Sequence, residues 1–185
     1  MEEIKRAIAY FTRNAATDPA NINAKYELGL SQQIYCRALL RNGEVEKAIK
    51  EYAVATNLMD KVLQQDVRSR EYLNVAVSLR EEAGDGMLAS GRYALALEHY
   101  QVSRGYLEKL AALPPTSGTL VASRSGEKFG DYYSALAQHT SAAAKRQSYW
   151  VEARKSYQTA LDATKDADKR AELAQKIANC DNNVR

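Results

Sequence analysis

Two histidines, two cysteines and one acidic cluster are the residues here whose chemistry could reach beyond packing. A metal site would need His, Cys, Asp or Glu at ligand spacing around His99 or His139, and neither has such neighbours in a recognised pattern. Cys36 and Cys180 form no C-x-x-C pair, which argues against a zinc site and a disulfide framework and leaves two reduced thiols. The stretch "EEAGDG" at 81–86 gathers acid beside glycine. It lacks the ligand spacing of a calcium loop and the Lys-Ser/Thr of a phosphate loop, so it reads as a solvated helix stretch in which Gly84 permits close packing. Serines are numerous, but no G-x-S-x-G occurs, and no nucleophile, base and orienter are brought together by spacing. The expectation is a protein that is not an enzyme and has no metal and no cofactor.

What the sequence does repeat is a packing step, Ala followed four residues later by an aromatic. It occurs as Ala7 and Phe11, Ala48 and Tyr52, Ala96 and Tyr100, and Ala153 and Tyr157. Residues four apart share one helix face, so each step sets a small residue beside a bulky ring, as a close helix crossing requires. Composition agrees with helices. Gly and Pro are scarce, at 9 and 3 residues, helix formers dominate, and alternating β-branched runs are nearly absent. The fold class expected is all-α.

Net charge is +3, and residues 1–144 balance at 17 basic and 17 acidic side chains, so the excess sits in the last quarter. That is far from the dense basic stripe of a nucleic-acid binder, and no nucleic-acid partner is expected. No apolar run approaches the ~20 residues of a membrane span, and "MEEIKRAIAYF" is not a secretory leader. A cytoplasmic setting is the default.

A small residue stands five positions before three of the alanines: Gly43, Gly91 and Ser148. Gly suits a helix C-terminal cap, so each marks a corner between two helices. The segments before these corners carry apolar residues at spacings of three and four. In the first, Tyr26, Leu30, Ile34 and Leu39 or Leu40 mark the stripe; in the second, Val75, Val77, Leu79, Ala83, Met87 and Leu88 do so. The unit is helix, short turn, helix.

This unit resembles the tetratricopeptide repeat family, whose second helix carries A-x3-F followed by P. Ala7, Phe11 and Pro19 match all three positions, and the other three steps match the first two. In the first helices Gly84 fits the family's small position, with Cys36 and Ser141 as small substitutes. The alanines lie 41, 48 and 57 residues apart, against a family period of about 34, which implies lengthened helices and a loop at "LPPTSGT", 113–119. The next helix is expected to start near Leu120, with breaks at Gly126 and Gly130. The stretch "GDGMLASGRYALALEHYQVSRGYLEKLAALPP" is similar to the long-helix repeats found C-terminal to bacterial serine/threonine protein kinase domains, although no H-R-D or D-F-G is present.

The resemblance implies a right-handed solenoid of antiparallel helix pairs in a single domain. It comprises a half repeat at 1–19, repeats at 20–66, 69–115 and 119–167, and a capping helix at 168–183. In that cap Ala171, Leu173, Ile177 and Ala178 should face inward, and Lys169, Arg170, Glu172 and Lys176 should face water. A chain that opens on a lone second helix is expected to be part of a longer protein. In the family the first helices line the concave face, which makes Gln33, Arg37, Arg41, Glu81, Asp85, Gln138, Lys145 and Arg146 the groove candidates. The function implied is a non-catalytic module that holds a peptide or a partner's helix, as the sensing or recruiting part of a larger signalling protein. The alternative is self-assembly, a homodimer formed through the half repeat.

Overall fold

The computed structural model describes residues 1–114 and 118–184. Among these there are eight helices and no strand: α1 (Glu2–Thr17), α2 (Ile22–Arg41), α3 (Val45–Gln65), α4 (Arg70–Ala89), α5 (Tyr93–Ala112), α6 (Gly118–His139), α7 (Ala143–Ala163) and α8 (Ala167–Val184). Short connections turn consecutive helices back on one another, and each helix packs on the next. A second layer of contact joins α2 to α4 and α4 to α6. The first helices thus form one row and α1, α3, α5 and α7 the other, a solenoid of the tetratricopeptide type.

Two corners are built alike. Gly43 and Gly91 adopt φ of 75° and 74°, a left-handed conformation that L side chains rarely take. Around the first, the Glu44 amide donates to the Leu39 carbonyl at 2.9 Å and Gly43 to Leu40 at 3.0 Å; around the second, Arg92 donates to Met87 at 2.8 Å and Gly91 to Leu88 at 3.0 Å. The starts of α2 and α4 are capped by side chains: Asn21 accepts from the Ala24 amide at 2.9 Å and Ser69 from the Tyr72 amide at 3.2 Å.

The third corner departs from the sequence reading. It lies at residues 140–142, not at Ser148, and contains no glycine. The helix runs unbroken through Gly126 and Gly130. Past Gly130, α6 continues for nine residues, where α4 continues for five past Gly84. Before Ala153, α7 has ten residues, where α5 has three before Ala96. The extensions of four and seven residues are close to one and two whole helical turns, so the packing faces stay in register. Part of the expected loop, residues 115–117 with Pro115, lies outside the described residues; α6 begins at Gly118 rather than near Leu120.

The small-against-bulky crossing recurs at each hairpin. A Cβ added to Gly84 would stand 2.4 Å from the Tyr100 ring, and one added to Gly130 would stand 2.4 Å from the Tyr157 ring. Gly130, not Ser141, therefore holds the small position of its hairpin. Ala48, Tyr52, Ala96, Tyr100, Ala153 and Tyr157 are all buried, whereas Ala7 and Phe11 are half-buried, because no helix covers that side of α1. Ile34 lies outside the expected stripe of α2, at 51 % exposure; Tyr35 and Cys36 are buried instead. In α8 the inward residues are Leu173, Ile177 and Cys180, while Ala171 and Ala178 are exposed.

Candidate functional site

The first-helix row carries a ladder of charge. Arg37, one residue after Cys36 on α2, donates to Glu82 of α4 at 2.5 and 2.9 Å. Asp85, one residue after Gly84, accepts from Lys128 of α6 at 2.6 and 2.9 Å. Asp131, one residue after Gly130, accepts from Lys176 of α8 at 3.0 Å. Each rung joins the same position of one first helix to the matching position of the next, and the first rung has its charges swapped.

Whichever partner is the carboxylate also takes a buried tyrosine hydroxyl. Tyr52 donates to Glu82 at 3.3 Å, Tyr100 to Asp85 at 2.8 Å and Tyr157 to Asp131 at 2.7 Å. Burial first, and the adjacent carboxylate second, push these three phenols above their ordinary range, so they stay protonated donors. A second set of bonds lies alongside. Glu81 accepts from Arg124 at 2.6 Å and Ser103 at 3.3 Å. Glu127 accepts from Lys169 at 2.6 Å and Lys176 at 3.1 Å. Burial opposes the Glu127 charge, but the two ammonium groups outweigh it and hold the carboxyl below its usual range.

The groove candidates fall into four groups relative to this frame. Gln33 and Arg37 converge on Glu82, Gln33 through a 2.8 Å bond, and Gln33 is buried. Glu81 is buried in its bonds to α5 and α6, and Asp85 is half-exposed on the ladder. Arg41 and Gln138 are exposed on the first-helix row, with Gln138 at a cleft of 260 Å³ beside Asp131, Tyr157, Lys176 and Asn179. Lys145 and Arg146 are not on a first helix at all: with the corner at 140–142 they belong to α7, where Lys145 stands over the Tyr149 ring at 5.7 Å. Lys169 and Lys176, expected to face water, are the ladder's last cations.

The remaining reactive side chains are accounted for by packing. His99 is buried and its Nδ1 lies 3.3 Å from Arg80; burial, then the Arg80 charge, hold its pKa below the usual value. His139 is exposed beside the Tyr93 ring, with centroids 5.8 Å apart. Burial pushes the Cys36 thiol up to about 12, so it is no nucleophile near neutrality. Among the described residues no three His, Cys, Asp or Glu side chains gather to hold a metal ion, and no helix is long and apolar enough to cross a membrane.

One cavity is a feature that sequence reading missed. It measures 450 Å³ and opens between α5 and α7 over the floor of α6, which contributes Val121, Ser125, Gly126, Phe129 and Tyr133. Ser125 is buried, at 8 % exposure, and its hydroxyl has no hydrogen-bond partner among the described residues. The signal was available in principle: Ser125 and Gly126 stand five and four residues before Gly130, where α4 carries Leu79 and Arg80 before Gly84.

The chain matches no family model. It is 32% identical over 108 residues, 57% of its length, to the DnaJ homolog subfamily C member 7 homolog of Dictyostelium discoideum, and spans 19% of that relative's length. The all-helical stack and this likeness together fit a helical-repeat protein of tetratricopeptide-like architecture.

Proposed function

We propose that the chain is a non-catalytic protein-interaction module whose first-helix row receives a peptide or a partner's helix. The observation that carries this reading is the continuous row itself: α2, α4, α6 and α8 are tied edge to edge by the ladder, which makes an extended, pre-set surface. Arg41 on α2 and Gln138 on α6 are its exposed polar anchors. The likeness to a segment of a longer protein supports a module that recruits for a larger chain. The test is capture of a partner by the wild-type chain and by an Arg41→Glu, Gln138→Glu double variant with unchanged circular dichroism. Loss of the partner supports the first-helix row; equal capture rejects it.

Self-assembly is the second reading, favoured by one feature. Ala7 and Phe11 are half-buried where their six counterparts are buried, so α1 has an open face of the kind that a first helix covers elsewhere. A dimer that dissociates on Phe11→Glu supports this reading; a monomer at all concentrations ends it.

A further inference from the structure

Two clefts separate successive second helices, and they have been treated differently. Between α3 and α5 the Arg80 side chain crosses the gap. It donates to Asp60 of α3 and lies 3.3 Å from the Nδ1 of His99 on α5, while Tyr106 of α5 donates to Asp60 at 2.6 Å. Leu79, beside it, is fully buried. Between α5 and α7 the corresponding residues are Gly126 and Ser125. The place of Leu79 is taken by the shorter Ser125, and at Gly126 the backbone of α7 stands where a side chain would begin, with the Ser156 carbonyl oxygen 2.8 Å from an added Cβ. Beside them lies the 450 Å³ cavity, within the range of ligand pockets.

Its lining is not that of a packing fault. The floor is apolar, from Val121, Ala122 and Phe129. The rim carries Arg104 of α5 and Lys155 of α7, against the single carboxylate of Glu152. Arg104 is engaged only by Glu108, one turn away on the same exposed helix face at 3.1 Å, a pair that contributes little. Among the described residues the Lys155 ammonium has no ion pair or hydrogen bond. An apolar floor and a net positive rim match one ligand chemistry.

We infer that the α5–α7 cleft is a binding site for a small amphipathic anion, an apolar chain or ring that bears a carboxylate. The body lies against Val121, Ala122 and Phe129, and the carboxylate meets Lys155 and Arg104. This site is separate from the first-helix row and stands or falls independently of it.

The test is a titration of the full chain with octanoate, followed by amide chemical shifts, with octanol and octylammonium as the neutral and cationic counterparts. The expected result is saturable octanoate binding, with shifts centred on Val121–Tyr133 and weaker effects from both counterparts. Lys155→Glu is expected to weaken octanoate by about fivefold and leave octanol unchanged. Ser125→Leu restores the bulk that α4 carries and is expected to weaken octanoate by at least about tenfold. Ala122→Leu narrows the same floor and serves if Ser125→Leu does not fold. No saturable shift up to the solubility limit overturns the site. So does octanoate bound equally by wild type and both filled variants, which marks surface adsorption. Octanol or octylammonium bound as tightly as octanoate overturns the anion.

Discussion

The α3–α5 and α5–α7 clefts are the same piece of architecture twice, and they differ by two adjacent residues. In the first, Arg80, with its side chain 13 % exposed, ties Asp60 of α3 to the His99 side of α5, and a 400 Å³ cavity remains beside Asp60 and Tyr106. In the second, Ser125 and Gly126 send no side chain across, and Gly126 lets α7 come close instead. A Cβ there would stand 2.8 Å from the Ser156 carbonyl oxygen and 2.9 Å from the Ala160 amide nitrogen. In a stack of near-equivalent helices the backbone decides where a cleft can be, and one pair of side chains decides whether a charged bridge crosses it.

The largest effect is expected where the bridge is cut. Arg80→Ala leaves Asp60 to the Tyr106 hydroxyl and removes the stem that spans the cleft, and should cost about 3 kcal/mol in urea unfolding. A loss under about 1 kcal/mol would mean that the α3–α5 cleft does not depend on its filling. Next is Gly126→Ala, which presses a methyl group onto the α7 backbone rather than onto a movable side chain. It should cost about 2 kcal/mol, where the same change at Gly105, which has open space, should cost nothing or stabilise. Ser125→Leu should act in the opposite direction, raising stability by about 1 kcal/mol as it fills the floor and removes an unpaired hydroxyl. A destabilised but folded variant would show that the cleft is narrower than described.

The smallest effect concerns protons. His99 has a folded-state pKa held below its unfolded value by burial and by Arg80, so the unfolded chain takes up a proton first. The stability this group contributes is therefore present above about pH 6.5 and is lost as pH falls below it. The melting temperature should decline between pH 7.5 and 5.5, and His99→Gln should flatten that decline. An unchanged slope in the variant would assign the dependence elsewhere.

The fold class was legible because the repeating steps are local: the alanine, the aromatic and the corner glycine all lie within ten residues. Gly43 and Gly91 announce their corners by type, since only a left-handed residue closes the two bonds found there. The third corner has no such residue. Thr140 ends α6 with its hydroxyl on the Leu136 carbonyl at 2.7 Å, and Ser148, five residues before Ala153, imitated the missing glycine. That single misplacement moved the small position from Gly130 to Ser141 and put Lys145 and Arg146 on the wrong helix. It also hid the equivalence of Ser125 and Gly126 with Leu79 and Arg80. The ladder was illegible for a different reason. Its rungs join residues more than forty positions apart, and the charge swap between Arg37–Glu82 and the later rungs erases any simple like-for-like pattern.

The division of labour proposed is a partner on the first-helix row and a small anion on the second-helix side. It is tested most directly by a photo-reactive amino acid placed at Arg41 or Gln138 on the first row, and at Val54 or Val151, which are exposed on α3 and α7. The account predicts that a captured protein partner is cross-linked from Arg41 and Gln138 and spared from Val54 and Val151. Cross-links from Val54 and Val151 alone would contradict it and move protein recognition to the other face.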